Sequence, residues 1–294
     1  MRVLLLGCNG QIGRCLSEEL IHTEHVLNLA PRSVIDICDF EDARKKILLF
    51  KPDVIINASA YTAVDKAEKD QENAYLVNHQ AVAMLAAVCA DIGSWLIHIS
   101  TDYVFDGKSA KPYTENDITN PQSIYGNSKL KGEMAISTSG CSFLIIRTAW
   151  VFSEFGSNFL KTMIRLAEEH DSLKIVGDQI GSPTYARDIS KAILFTLPFL
   201  DNNQESGIFN YAGNHPCSWA EFAIQIFYEA RRMGNIKDIP QVRTITSEEF
   251  PTPARRPKNS RLDSSKFEAK FGYKSSNWQA GITESLNYFR EISN

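Results

Sequence analysis

The six cysteines (Cys8, Cys15, Cys38, Cys89, Cys141, Cys217) form no C-x-x-C and no paired spacing. That excludes a disulfide frame and a zinc site, and reads as the reduced thiols of a cytoplasmic protein. No run of about 18 apolar residues is present, so nothing is expected to span a membrane. The apolar stretch Val3-Leu4-Leu5-Leu6 meets glycine at once and is too short for a signal peptide. An excess of one charge is missing too. The 31 Lys and Arg against 35 Asp and Glu leave a net charge of −4, which implies neither a nucleic-acid partner nor an acidic tail. There is no internal repeat and no low-complexity tract. What is present is length: 294 residues suit one large α/β unit, or one domain with a smaller lobe, burying roughly 75% of the unfolded surface.

Val3 to Leu6 is an apolar run followed by turn signals, the pattern of a strand buried on both faces. Gly7-Cys8-Asn9-Gly10-Gln11-Ile12-Gly13 comes next, then a helical pattern through Leu20. Strand, glycine-rich turn and helix in that order make a dinucleotide-binding crossover. The turn brings backbone N–H groups to a pyrophosphate, and the helix dipole favours its charge. The spacing is G-x-x-G-x-x-G; the same glycines could also serve only a tight turn with close strand–helix packing.

A second strand, His25 to Leu29, ends at Ala30-Pro31-Arg32-Ser33, where an acid for the adenosine ribose is often found and here is absent. Arg32 and Ser33 could instead hold a 2′-phosphate, which favours NADPH over NADH, or Arg32 is a solvated loop residue. Asp39-Phe40 closes the next short segment and is placed to touch adenine. Val54 to Asn57 is a buried strand running into the small residues Ala58-Ser59-Ala60, and Gln71 to Ala90 reads as one long helix carrying Asn78, which bonds backbone or water near the site or faces solvent.

Trp95 to Ser100 is a further strand with Thr101-Asp102 at its end, where ligands of open parallel sheets bind. Tyr125-Gly126-Asn127-Ser128-Lys129 follows on a helix, and Phe143 to Arg147 returns as a sixth strand. A Tyr and a Lys four apart share a helix face. An ammonium so close favours ionisation of the phenol and suits it to proton transfer. Alone, Y-x-x-x-K is often a surface pair; here a strand-end hydroxyl, a phenol and an ammonium converge.

Beyond Trp150 come Leu173 to Val176 as a short strand, Arg187 to Leu200 as a helix, Gly207 to Asn210 as a strand, and a capping box at Ser218-Trp219-Ala220-Glu221. Pro251 to Arg261 is a proline-rich loop with four cations, solvated unless a diphosphate calls for them. The expected fold is a doubly wound parallel sheet over 1–150, with segments around 173–212 returning to it, and a mainly substrate-binding lobe over 151–294.

These stretches resemble the extended short-chain dehydrogenase/reductase family across essentially the whole chain. The matching segments are Gly7 to Gly13, Thr62 to Glu68, Ser100 to Phe105, Tyr125 to Lys129, Arg147 to Trp150, Asn158-Phe159, Asp178-Gln179 and Pro251 to Pro257. Within that family the resemblance is to reductases of dTDP-linked keto sugars, and it implies reduction of the C4 keto group of dTDP-4-dehydro-L-rhamnose. By resemblance Tyr125 is the proton donor, Lys129 the ribose anchor and Thr101 the partner of the carbonyl. Thr101, Asp102, Trp150, Asn158 and Arg256 resemble substrate contacts, Arg256 toward the diphosphate. Gly7, Gly10, Gln11, Ile12 and Gly13, with Asp39, Phe40, Ala60, Tyr61 and Thr62, resemble cofactor contacts.

Two departures stand out: Ala30 replaces a frequent acid, and Tyr61 a frequent His. Elimination is not expected, because Thr101-Asp102 is followed by Tyr103 where sugar-nucleotide dehydratases carry Glu. The resemblance implies a homodimer. Some relatives bridge subunits through Mg²⁺ and carboxylates near the glycine turn; here Glu18 and Glu19 could serve or be only solvated, and the metal is left unassigned. The alternatives are a reductase of another dTDP- or UDP-4-keto sugar, and a non-catalytic NADP-binding regulatory subunit.

Overall fold

A computed structural model describes residues 1–200 and 206–293. Its first strand, β1 (Arg2–Leu6), is covered on both faces: Val3 and Leu5 enter one hydrophobic cluster, Leu4 and Leu6 another. Strand periodicity sends alternate side chains to opposite faces, so one short run builds two cores. The chain continues through α1 (Gln11–Leu20), β2 (Val26–Ala30), α2 (Phe40–Phe50), β3 (Val54–Asn57), α3 (Val64–Ala67), α4 (Gln71–Tyr75), α5 (Ala81–Ile92), β4 (Trp95–Thr101), α6 (Ile124–Thr138) and β5 (Ser142–Thr148). It then runs through β6 (Val151–Phe152), α7 (Phe159–Glu169), β7 (Ser172–Val176), β8 (Ile180–Gly181), β9 (Thr184–Tyr185), α8 (Ala186–Thr196) and β10 (Gly207–Asn210). The last elements are β11 (Cys217–Ser218), α9 (Trp219–Arg232), β12 (Gln241–Ile245), α10 (Ser265–Phe271) and α11 (Trp278–Ser293).

Six strands form one parallel sheet in the order β10-β5-β4-β3-β1-β2. From β1 the chain passes to one side for β2 and to the other for β3, so strand order reverses there and opens a crevice at the strands' carboxyl ends. Register brings Leu6 beside Asn57 and Thr101 beside Thr148 along that edge. Leu16 and Leu20 of α1, Ile189 and Ile193 of α8 and Phe267 of α10 cover one face; Ile47 of α2, Val82 and Leu85 of α5 and Ile136 of α6 cover the other. The doubly wound parallel sheet is therefore present.

Three details differ from the sequence reading. The strand expected as the sixth, Ser142–Thr148, is the fifth in chain order. The helix expected over 71–90 is interrupted by a π turn at Leu76–Gln80. By length and composition Gln71–Ile92 could cross a membrane, but its α5 half buries Ala81, Val82, Leu85 and Cys89 against the sheet. Of the segments expected to return to the sheet, β10 joins it and α8 packs on it, whereas β7 pairs with β12 in a separate two-stranded sheet.

A third cluster holds the later elements together, with Phe152, Leu160, Met163, Phe222, Phe227, Trp278 and Ile282 at its centre. The capping box opens α9 as expected: the Glu221 N–H donates to Ser218 Oγ at 3.1 Å and the Ser218 N–H to Glu221 Oε2 at 2.7 Å.

Candidate active site

The three turn glycines are not equivalent. Gly7 lies in the left-handed region at φ 75°, and a Cβ there would meet Ser59 N at 2.6 Å; a Cβ on Gly13 would run into the Gly7 carbonyl. The fold itself needs those two. Gly10 has an ordinary φ of −76°, and its Cβ would lie 3.5 Å from Gly7 O, normal van der Waals contact. Nothing within the chain requires glycine at that position. Helix α1 also lacks a side-chain cap and has no acid in its first turn, leaving its first amides for an anion. Gly10, Gln11 and Ile12 line a cavity of about 550 Å³, together with Ala60 and Thr62. A helix start without its own cap, facing a cavity and bordered by small residues, fits a dinucleotide.

Thr101, Tyr125 and Lys129 line the same cavity. The residues between Tyr125 and Lys129 dock α6. Gly126 leaves no room for a side chain against the Tyr103 carbonyl, and Ser128 Oγ takes a hydrogen bond from Asn78 Nδ2 at 3.0 Å. Asn78 is buried; its Oδ1 accepts the Tyr61 N–H at 2.9 Å and its Nδ2 donates to Tyr61 O at 3.0 Å. The π turn that carries Asn78 thus holds the strand-end loop and α6 together, a common placement for such turns. The solvent-facing alternative for Asn78 is excluded.

The electrostatics overturn one expectation. Lys129 does not make the phenol acidic: burial raises the Tyr125 pKa above the ordinary value, a hydrogen bond with Thr101 opposes this, and the Asp102 and Tyr103 charges add to the rise. The Lys129 amine turns away, to His98 Nε2 at 3.1 Å and Ile99 O at 2.6 Å, and burial lowers its pKa to about 8. Desolvation outweighs the helical spacing, with Lys129 buried and Tyr125 half-buried beside the cavity. Asp102 is buried as well, its pKa raised to about 7 by burial, with Oδ1 accepting from Thr101 Oγ1 at 2.9 Å and Oδ2 without a geometric hydrogen-bond partner among the described residues. Ser260 still contributes a small lowering of that pKa.

On the far wall stands Trp150, at φ 47° one of the two non-glycine residues in the left-handed region among the described residues. Bulky side chains rarely adopt that conformation, and it persists where neighbours hold it. Asn158 Nδ2 donates to Gln11 Oε1 at 2.8 Å, tying the glycine turn to the start of α7. Beside this cavity a second one of about 660 Å³ is lined by Arg255, Arg256, Lys258 and Gln179. There Arg256 donates to Asp65 Oδ2 at 2.7 Å and to the Tyr103 hydroxyl at 3.1 Å.

Several residues expected as contacts make bonds within the chain. Arg32 bonds Asp36 at 3.0 Å with its side chain 79% exposed, so an acid four residues on occupies it. Asp39 caps α2 through the Asp42 N–H, and neither it nor Phe40 lines the cavity. Tyr61 likewise points away, its hydroxyl donating to Asp70 at 2.9 Å. Glu18 and Glu19 are taken up by Arg187 at 2.6 and 3.2 Å, and no metal-binding cluster occurs among the described residues. Sequence reasoning missed two buried pairs, Asn57 with His98 and Glu133 with Arg147. Arg147 forks onto Glu133 at 3.0 and 2.6 Å, and Ser100 Oγ donates to Glu133 at 2.5 Å. An Arg at a strand's end and a Glu four residues past the Lys were visible signals, but only three-dimensional proximity pairs them.

The chain matches the family model for the RmlD substrate binding domain over residues 1–291. It is similar to the dTDP-4-dehydrorhamnose reductase of Aggregatibacter actinomycetemcomitans, 41% identical over 284 residues that cover 96% of this chain and 97% of that one. The reductase of the same name from Escherichia coli is 37% identical over 292 residues, 98% of this chain and 97% of that one. Among solved structures, the dTDP-4-dehydrorhamnose reductase from Clostridium acetobutylicum superposes with a TM-score of 0.91 at 37% identity, covering 99% of this chain and all (100%) of that one. The Bacillus anthracis enzyme, in complex with NADP, gives 0.86 at 33% identity over 100% and 99% of the two chains.

Proposed function

The chain belongs to the RmlD substrate binding domain family, and from that membership we propose that it reduces the C4 keto group of dTDP-4-dehydro-L-rhamnose to give dTDP-L-rhamnose, using NAD(P)H. The observation that carries this reading is one cavity lined at once by the capless start of α1 and by Thr101, Tyr125 and Lys129. Phenol and dinucleotide cradle open onto the same crevice at the carboxyl ends of the strands.

Gly10, Gln11, Ile12, Ala60, Thr62 and Lys129 would hold the cofactor, which when bound supplies the hydride. The chain's own work is to orient the carbonyl and deliver a proton. A desolvated phenol with a raised pKa keeps its proton at rest, as the acid of a reduction must. Thr101 Oγ1 is fixed by the Tyr103 N–H at 3.2 Å and by Asp102, so it is preset beside that phenol to hold the substrate oxygen. Trp150, Asp102 and Asn158 face the sugar. Arg256 meets the diphosphate, leaving Asp65 for a stronger bidentate partner. Arg32 makes NADPH the preferred cofactor by the same exchange at Asp36. The enzyme works as a homodimer in the cytoplasm, its sheet domain being mainly 1–150 and its substrate lobe mainly 151–294.

Elimination is disfavoured because Tyr103 stands after Asp102, with its hydroxyl occupied by Arg256. A non-catalytic regulatory role would not call for a buried Thr and Lys and a half-buried Tyr around one cavity. The test is Tyr125→Phe, assayed by NADPH oxidation with dTDP-4-dehydro-L-rhamnose. General acid catalysis is worth about 10²–10⁴-fold, and that loss in kcat is expected with cofactor binding retained. Near-normal turnover would remove the mechanism.

A further inference from the structure

The loop between β6 and α7 closes against the glycine turn, and the bonds it makes there have no part in proton delivery. Gly156 in this loop has a φ of 63°, and a Cβ on it would come 3.2 Å from Gln11 Cγ. At the loop's end Asn158 caps α7, its Oδ1 accepting the Lys161 N–H at 3.1 Å. Its Nδ2 donates to the Ser153 carbonyl at 2.7 Å and to the Phe155 carbonyl at 3.1 Å. Backbone groups thus fix both ends of this amide. The Gln11 atom 2.8 Å from Nδ2 must then accept, because an amide nitrogen only donates. That atom is Oε1. Ser153, fully buried, brings its Oγ to 3.0 Å from the same oxygen. With Oε1 held, Gln11 Nε2 is turned the other way and has no hydrogen-bond partner among the described residues. Gln11 lines the cavity as the first residue of α1.

We propose that Ser153 and Asn158 are positioning residues for the cofactor, locking the Gln11 amide so that its Nε2 donates to the pyrophosphate of the dinucleotide. The proposal rests on the reductase reading of the cavity and deepens it. It gives the pyrophosphate a side-chain donor beside the first amides of α1, and names what aims that donor.

A glutamine amide left free can turn over, and each half-turn puts a carbonyl where an anion needs a donor. Carbonyl against phosphate oxygen sets acceptor on acceptor, so the turned amide both loses the contact and repels. The lock removes that state before the cofactor arrives, and a donor aimed in advance gives up little freedom on binding. It also crosses between the two parts of the chain. Gln11 opens α1, which packs on the main sheet, whereas Leu160 and Met163 of α7 belong to the cluster that holds the later elements together. The aim of a cofactor donor is thereby fixed from the lobe that takes the sugar.

The test is NADPH affinity, measured by calorimetric titration with no sugar nucleotide present. Gln11→Ala removes the donor and should weaken binding about tenfold, the scale of one hydrogen bond to a charged acceptor. Gln11→Glu keeps an oxygen for Ser153 and Asn158 but turns a carboxylate oxygen toward the pyrophosphate, and like-charge repulsion should weaken binding about tenfold more. Asn158→Ser keeps a capping side chain for α7 without the amide, so the fold should hold while the NADPH Kd rises severalfold. In a Gln11→Ala background the same change should cost no more than about twofold, since nothing is left to aim. Equal losses from Asn158→Ser in both backgrounds would mark Asn158 as structural only and overturn the proposal. So would an unchanged Kd in Gln11→Ala, or Gln11→Glu binding no worse than Gln11→Ala. Ser153→Ala, which leaves the cap intact, gives the same comparison of backgrounds should Asn158→Ser not fold. If the chain binds NADPH yet reduces no 4-keto sugar, the reductase reading falls while these titrations still decide how Gln11 is aimed.

Discussion

Trp150 and Trp219 lie face to face, ring centroids 3.4 Å apart and planes 6° from parallel. Trp150 follows β5 at the crevice and Trp219 opens α9, so the stack fastens the cavity wall to the later lobe. Gly181 makes the stack possible, since a Cβ there would enter the Trp150 ring. A left-handed tryptophan costs roughly 1–3 kcal/mol, and an aromatic pair returns about 0.5–1.5 kcal/mol beyond its area. Trp219→Ala should therefore free Trp150 to relax. We expect KM for the sugar nucleotide to rise about tenfold, with cofactor Kd within about twofold of wild type. Equal loss of both affinities would mean that the stack supports the fold generally and not the sugar wall.

The glycine turn gives a contrast between two identical substitutions. Gly13→Ala collides with the Gly7 carbonyl and should lower stability by a few kcal/mol, read as a lower Tm, about the scale of overpacking. Gly10→Ala meets nothing closer than 3.5 Å within the chain. Its Tm should stay within a few degrees of wild type while NADPH binding falls at least tenfold by titration. Unchanged NADPH affinity in Gly10→Ala would show that the open space is not where the pyrophosphate lies.

Much of this was legible in the residues themselves. Val3 to Leu6 and Val54 to Asn57 declared buried strands because a doubly covered strand has no polar face to spare, and the glycines between β1 and α1 fixed the crossover. Thr101, Tyr125 and Lys129 could be brought together because each follows from a strand end or a helical spacing. The charge state of Tyr125 could not, since it depends on desolvation by the surrounding fold, which local spacing does not report. The same holds for Asn57, His98 and Glu133: each is an unremarkable polar residue in its own element, and its partner arrives from another strand. Asp39 and Tyr61 show a further limit: each also serves the fold, as a helix cap and as a bond to Asp70, which its place in the sequence does not report.

Arg32 offers a test of cofactor preference. Its bond to Asp36 is exposed, and such pairs are worth about 0–1 kcal/mol, so a 2′-phosphate can displace the carboxylate. Arg32→Ala should raise KM for NADPH about tenfold and leave NADH nearly unchanged, measured as the ratio of kcat/KM for the two cofactors. An unchanged ratio would return Arg32 to the solvated loop residue that its side chain, 79% exposed, otherwise describes.

Asp102 should leave a signature in the pH dependence of stability. Burial raises its pKa from 3.8 to about 7 in the folded chain. The folded state therefore binds the proton more tightly than the unfolded one, and linkage gives the sign. The contribution is fully present below about pH 4, is lost progressively as pH rises toward the folded pKa, and above it the buried carboxylate carries the whole penalty. At about 1.4 kcal/mol per pKa unit the span is up to about 4 kcal/mol. Asp102→Asn keeps a side-chain amide to face Thr101 but cannot ionise. Its Tm relative to wild type should rise steadily between pH 5 and pH 8 and change little below pH 4. Parallel melting curves across that range would mean that Asp102 ionises freely in the folded protein, and with it would go the picture of a dry pocket around the phenol.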